Sequence, residues 1–130
     1  MHTLSLETRH REEFINLTAR LEAWVGQQGL HEGALLVYCP HTTAGLTINE
    51  GADPDVKRDM LVHLGRLVPE QGDYRHAEGN SDAHLKASLM GSSVTIPITD
   101  GKLQLGTWQA VYFCEFDGPR HRKVLVQRLG

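Results

Sequence analysis

The chain has 130 residues, with 13 basic and 16 acidic side chains and a formal net charge of −3. Its 40% hydrophobic and 22% charged content is that of an ordinary globular protein and argues against disorder. The negative charge argues against non-specific nucleic-acid binding, which needs a basic surface to displace counterions. We therefore expect one domain, residues 1–130, without a nucleic-acid partner.

The amino terminus and the two cysteines predict a cytoplasmic protein. Met1–Leu6 has no basic region and no long apolar segment, so we expect no signal peptide. No stretch approaches the roughly 18 apolar residues that a membrane span needs. Cys39 and Cys114 both lie in apolar runs, which is typical of reduced thiols in a core.

The first half of the chain predicts three strands and one helix. Alternating polarity indicates a short strand at Thr3–Thr8. Apolar residues then recur at helical spacing from about Glu12, and Gly29 suits the helix exit. The apolar run Gly33–Cys39 is typical of a central strand, and Leu46–Asn49 predicts a short second one.

Two capped helices follow. Asp53-Pro54 is a strong helix start, and the helix should end near Val68-Pro69 because the residue before proline resists helix. A polar loop at Gln71–Gly79 leads to a second helix at about Ser81–Met90, which Gly91 should stop.

The last third predicts a three-stranded meander. Ser93–Ile98 and Leu103–Phe116 flank Asp100-Gly101, a dipeptide that favours a two-residue hairpin turn. Another turn at Asp117–Arg120 precedes a final strand at Lys123–Leu129. This order of elements predicts an α+β fold, a two-layer sandwich in which helices back a mainly antiparallel sheet.

His41 follows the predicted central strand, where a side chain is held rigidly and still reaches solvent. Thr42, Thr43 and Gly45 around it offer hydroxyl and backbone N–H groups that can hold an oxyanion. A polar turn with an incidental histidine explains the same residues equally well, since His-Thr-Thr is not a general mechanistic signature.

His76 and His84 frame a second polar stretch. Their spacing of eight is not the i, i+4 pair that binds zinc on one helix, although a loop that folds back would join the rings. Glu78 and Asp82 beside them are candidate bases or partners of metal ligands. The alternatives are two surface histidines, and acidic residues that stabilise a helix start.

The remaining candidates carry weaker signals. Arg120 lies in a turn but can supply a bidentate contact to phosphate or carboxylate. Neither cysteine has a CxxC partner or a flanking histidine, so we do not expect thiol catalysis. Five histidines lack supporting context and are left out of the site: His2, His10, His31, His63 and His121.

Taken together, the motifs resemble those of the YjbQ-like family, an uncharacterised protein family. The matching stretches occur in the expected order along essentially the whole chain. They are His41–Glu50, Asp53–Val56, Tyr74–His76, Glu78–Asn80, Ala83-His84, Gly101–Gln109 and Asp117–Arg120.

The resemblance implies a YjbQ-like α+β fold that assembles as a homotrimer with sites near subunit boundaries. It also implies a metal site built on His41, His76 and His84. Some members are associated with a weak thiamine-phosphate synthase activity, which joins a pyrimidine diphosphate to a thiazole phosphate and releases pyrophosphate.

The donor chemistry modifies this expectation. Three imidazoles favour Zn²⁺, whereas departure of a diphosphate is usually assisted by Mg²⁺, which prefers oxygen ligands. Metal-assisted hydrolysis or lyase chemistry therefore fits as well as synthase chemistry, and a non-catalytic metal- or anion-binding trimer is the rival. In the enzyme hypothesis Glu78 or Asp82 acts as base. The residues expected to hold a phosphorylated or carboxylated small molecule are Thr42, Thr43, Asn80 and Arg120.

Overall fold

A computed structural model describes residues 1–130 and contains three helices and eight strands. The helices are α1 Thr18–Gln27, α2 Pro54–Leu67 and α3 Ser81–Met90. The strands are β1 His2–Glu7, β2 Glu13–Asn16, β3 Gly33–Tyr38, β4 Ala44–Glu50, β5 Ser93–Thr99, β6 Lys102–Leu103, β7 Gln109–Glu115 and β8 His121–Leu129.

All strand pairs are antiparallel, and the strands form two sheets. The larger sheet has five strands in the order β1-β8-β3-β5-β6, and the smaller has three in the order β2-β7-β4. β8 lies between β1 and β3, so the carboxyl-terminal strand joins the amino-terminal strand to the central one. The α+β class and the mainly antiparallel sheet are therefore confirmed.

The two sheets enclose the main core. Leu35 and Val37 of β3 and Phe113 of β7 are fully buried in it. The other face of the smaller sheet carries a second cluster, in which Tyr112 and Ala87 pack with α2 and α3. The expected layer of helices on a sheet is thus present at the smaller sheet, and the five-stranded sheet adds a layer that the sequence did not indicate.

The predicted helix start near Glu12 is wrong. Glu13–Asn16 forms an edge strand that pairs with β7, and the helix begins at Thr18. Phe14 is buried against Phe116, with ring centroids 6.3 Å apart. Packing of this aromatic residue on a sheet outweighs the helical spacing, because strand preference is largely a matter of such tertiary contacts.

The single strand predicted over Leu103–Phe116 is also wrong. The hairpin turn itself is present, since Asp100 and Gly101 have φ angles of 53° and 76°. The strand then breaks around Gly106, whose N–H donates to the side chain of Gln109 at 2.8 Å. β6 therefore stays in the larger sheet while β7 enters the smaller one, and no three-stranded meander forms.

The two predicted helix starts and the loop between them are confirmed. The Asp53 carboxylate accepts from the Asp55 N–H at 2.9 Å and caps the start of α2. The helix ends at Leu67, because Val68 precedes Pro69 and the residue before a proline disfavours helical geometry. α3 begins after Asn80. None of the three helices combines the length and the apolarity required to cross a bilayer.

Candidate functional site

A polar cavity of about 350 Å³ lies between the segment after β3, the start of α3 and the turn before β8. No hydrophobic residue lines it. Most of the residues predicted from the sequence meet here, although they come from three distant parts of the chain. The lining residues are Pro40, His41, Thr42, Thr43, Glu78, Asn80, His84, Asp117, Arg120 and Arg122.

The His41 ring is held by the backbone of β8. The Lys123 N–H donates to Nε2 at 3.0 Å, and the Lys123 carbonyl oxygen lies 3.1 Å from the same atom. Nε2 can therefore accept or donate, and Nδ1 is the nitrogen without a protein partner. Burial and the positive charge of Arg122 lower the pKa of His41, which favours the neutral ring.

His76 and His84 come together, as the loop hypothesis required. Their ring centroids are 5.4 Å apart and the rings are nearly perpendicular. Nε2 of His76 lies 3.6 Å from Oε2 of Glu78. The side chain of His84 makes no hydrogen bond within the protein. It lines the polar cavity as well as two neighbouring cavities of about 410 and 460 Å³.

The side chains available as ligands can be compared with those that the expected divalent metal requires. Two adjacent imidazoles, His76 and His84, fit a borderline ion such as Zn²⁺ better than Mg²⁺. His41 shares a cavity with His84 but joins no three-ligand cluster, and no group of three His, Cys, Asp or Glu side chains stands close enough to hold an ion alone. An ion on the pair would take its remaining ligands from elsewhere.

Arg122 is the main residue that the sequence reasoning missed. It is buried in β8, where Nε donates to Oε1 of Glu115 at 2.8 Å and Nη2 donates to Oε2 of Glu115. Nη2 also donates to Oγ1 of Thr43 at 2.9 Å. The one sequence signal that could have indicated a buried Arg122 is its position two residues before Val124 and four before Val126, since alternate residues of β8 share the buried face.

Arg120 and Asn80 reach the cavity as expected, and both bind Asp117. Nε of Arg120 donates to the Asp117 carbonyl at 2.8 Å, and Nη2 donates to Oδ2 at 3.1 Å. Nδ2 of Asn80 donates to the same Oδ2 at 2.9 Å, while its buried Oδ1 has no hydrogen-bond partner. Asp117 thus fixes the orientation of both side chains at one wall of the cavity.

Asp82 does not lie in the cavity. Its fully buried carboxylate accepts from Arg11 at 3.1 and 3.3 Å and from Lys86 at 3.3 Å. Burial raises the pKa of Asp82, but hydrogen bonds from Arg11 and Lys86 outweigh it, so the pKa lies below its ordinary value. A carboxylate that is already saturated by two cations is not placed as a base for a substrate. Of the two candidates, only Glu78 lines the cavity.

Both cysteines are free and buried, as the sequence indicates. Burial raises the pKa of Cys39 and of Cys114, so the unreactive thiol is favoured in both.

These features define a class of protein, an α+β sandwich with a histidine-containing polar cavity at the start of α3. The family described as UPF0047 protein YjbQ-like matches residues 2–130. The chain belongs to this family.

Similar proteins align with this chain over nearly its whole length. The UPF0047 protein YugU of Bacillus subtilis is 49% identical, with 100% of this chain and 99% of that protein covered. A UPF0047 protein of Methanocaldococcus jannaschii is 48% identical over 96% of this chain and 91% of its own length. The crystal structure of an uncharacterised YjbQ/UPF0047 family protein from Clostridium acetobutylicum has a TM-score of 0.97 at 56% identity, covering 99% of this chain and 100% of that one.

Proposed function

We propose that this chain is a small metal-site enzyme whose polar cavity binds a phosphorylated or carboxylated small molecule. The observation that carries the proposal is the meeting of residues from three separate segments in one predominantly polar cavity. The expected anion-binding and histidine residues that meet there are His41, Thr42, Thr43, Asn80, His84 and Arg120.

The side chains divide into three chemical roles. His76 and His84 would hold a divalent metal, for which Zn²⁺ is the better fit, and that ion would supply Lewis acidity at a substrate oxygen. Arg120 and the threonine hydroxyls orient the anion of the substrate. Glu78, which lines the cavity next to the histidine pair, accepts or returns a proton.

The named reaction that we propose comes from the family resemblance. In thiamine-phosphate synthesis the thiazole nitrogen attacks the methylene carbon of the pyrimidine diphosphate. The carbon–oxygen bond breaks, and pyrophosphate leaves with the electron pair. The cavities on either side of His84 add room for a second substrate beside a bound anion.

Two alternatives use the same cavity. A hydrolase or lyase would use a metal-activated water instead of the thiazole, since a Zn²⁺-bound water ionises near pH 7. A non-catalytic metal- or anion-binding protein would bind without turnover. The imidazole of His84, which has no hydrogen-bond partner in the protein, is available as a ligand in each of these cases, so turnover is what separates them.

We also propose a homotrimeric, cytoplasmic protein, on the family resemblance and on the reduced state of both cysteines. Exposed apolar side chains are available for contacts between subunits, among them Leu89 on α3 and Trp108, which is 64% exposed.

The test is an assay of untagged protein for pyrophosphate release and thiamine phosphate formation, with and without added Zn²⁺ or Mg²⁺. We expect metal-dependent turnover in the wild type and in His63→Ala, an exposed histidine outside the cavity. His84→Ala should lose at least about 100-fold in rate. Release of phosphate without thiamine phosphate would favour the hydrolase. Stoichiometric binding without any turnover would overturn the enzyme.

A further inference from the structure

We propose that Arg122 is the anion anchor of the site: its Nη1 binds the terminal oxyanion of the substrate, aided by the hydroxyl of Thr43, and Glu115 holds the guanidinium in place. This inference rests on the proposed function, because it names the group that recognises the substrate in the same cavity.

The first support is the hydrogen bonding of the guanidinium. Nε and Nη2 of Arg122 are committed to Glu115 and Thr43. Nη1 has no protein partner, although Arg122 is only 3% exposed. Oδ1 of Asn80 is the only fully buried side-chain nitrogen or oxygen that lacks a hydrogen-bond partner. Nη1 of Arg122 also lacks a partner, so this atom must be accessible to solvent. Because Arg122 lines the polar cavity, Nη1 faces that space.

The second support is Thr43. Its Oγ1 accepts from Nη2 of Arg122 and donates to no protein atom, which leaves the hydroxyl proton for a ligand. Thr43 is also buried and lines the same cavity. Two oriented donors of this kind, one of them charged, recognise a phosphate or carboxylate oxygen.

The third support is the rigidity of the anchor. Glu115 is fully buried and accepts hydrogen bonds from two groups besides Arg122. Oγ1 of Thr8 donates to Oε1 at 2.8 Å, the Asp117 N–H donates to Oε2 at 3.0 Å, and Arg122 itself completes the set. A guanidinium held in this way loses little conformational entropy when a ligand binds.

Arg120 offers a weaker alternative. Its side chain is 52% exposed, whereas that of Arg122 is 3% exposed, and each arginine is paired with one carboxylate. Water and salt screen a contact made by Arg120, whereas Arg122 acts from a desolvated position. We therefore expect Arg122 to contribute more to affinity than Arg120, the arginine that the sequence motif indicated.

The experiment is calorimetric titration of untagged protein with inorganic phosphate, pyrophosphate and acetate. Arg122→Lys should bind the preferred anion at least about 10-fold more weakly, the cost of a lost charged hydrogen bond. Arg120→Lys should lose less. The matched control Arg58→Lys, in an exposed pair with Asp59, should stay within about twofold of the wild type.

The outcomes separate the two claims. Wild-type binding that survives in folded Arg122→Lys, or that falls more in Arg120→Lys, overturns the anchor and leaves the proposed function standing. A wild type that binds none of the three anions overturns the anion cavity itself. The phosphate and acetate arms tell a phosphoryl site from a carboxylate site.

A measurement on the wild type decides the question if Arg122→Lys fails to fold. The Nε–H of Arg122 is buried in its bond to Glu115 and should give a slowly exchanging ¹⁵N–¹H signal. Addition of phosphate should shift this signal and leave that of Arg58 in place. An unchanged Arg122 signal at saturating phosphate would overturn the proposal.

Discussion

The Asp82 carboxylate and the Lys86 ammonium form an ion pair one turn apart on α3, with exposed side-chain fractions of 0% and 1%. Lys86 also donates to Glu12 at 2.9 Å, and Arg11 pairs with Asp82 from the same segment. The cluster ties α3 to the chain just before β2. Asp82 therefore points toward Arg11 and Lys86 and not toward the cavity, although it is close in sequence to His84.

Removal of the Asp82 charge should affect stability and not the site. Asp82→Asn leaves Lys86 buried without its full partner, so we expect a loss of about 3 kcal/mol in the free energy of unfolding. Chemical denaturation at pH 7 measures it. Asp59→Asn, in an exposed pair with Arg58, is the control and should change by about 0.5 kcal/mol or less.

The same variant tests whether Asp82 is a base. Folded Asp82→Asn should retain anion affinity, whereas Glu78→Gln should lower turnover with little loss of stability, since Glu78 is exposed. A loss of turnover in folded Asp82→Asn larger than that in Glu78→Gln would contradict this assignment.

Acid should destabilise the fold through Asp82 and Glu115. Burial raises the pKa of Glu115, but bonds from Arg122, the Asp117 N–H and Thr8 outweigh it and lower the pKa below its ordinary value. Because the folded pKa values of both groups are depressed, their stabilisation is complete above an unfolded value near 4 and is lost as pH falls through the folded values.

Denaturation from pH 7 to pH 2 checks this expectation. The free energy of unfolding should decrease when the pH is lowered below about 4–5. The decrease should be less steep in Asp82→Asn, because this variant lacks one of the two carboxyl groups whose pKa is lowered in the folded state. An equally steep decline in the variant would contradict the contribution of Asp82.

His41 should titrate below the ordinary histidine range. Burial and the charge of Arg122 lower its pKa, so the folded state resists protonation of this ring. This contribution to stability is present above about pH 6.5 and is lost as pH falls through the folded pKa. Proton NMR of the imidazole signal of His41 measures the shift. A His41 pKa at or above the ordinary histidine value would contradict the expectation.

Metal retention should depend on the pair formed by His76 and His84. Elemental analysis of untagged protein should find a divalent metal in the wild type and in His63→Ala. His84→Ala and His76→Ala should each lose at least about 10-fold in metal affinity. The metal-free variants should melt close to the metal-free wild type, because His76 is exposed and His84 is only half-buried. Equal metal content in all four proteins would refute the pair as a metal site.

The assembled mass tests the trimer. Light scattering after size exclusion should give three times the 14.5 kDa of one chain. Trp108→Ser or Leu89→Ser at the exposed apolar positions should shift the equilibrium toward smaller species if those faces form the contacts. A wild-type mass of one chain would refute it.

The sequence by itself determined the features that depend on neighbours in the chain. The Asp53-Pro54 cap, the Asp100-Gly101 turn and the apolar strand before His41 each follow from local stereochemistry, and each is present. The family was also recognisable, since its motifs are contiguous stretches.

Only the tertiary structure decided which side chains meet. Thr8 and Glu115 are hydrogen-bonded across 107 positions, and Arg122 reaches Thr43 across 79, so no local spacing marks Arg122 as part of the site. Asp82 is the opposite case, because its neighbours in the sequence suggested a role in the site and yet it does not line the cavity. Arg11, which is 71 positions away in sequence, and Lys86, one turn further along α3, bind its carboxylate and hold it in the protein interior. Local pattern specifies the elements, whereas long-range packing and charge pairing determine which of their polar groups remain free to bind a ligand.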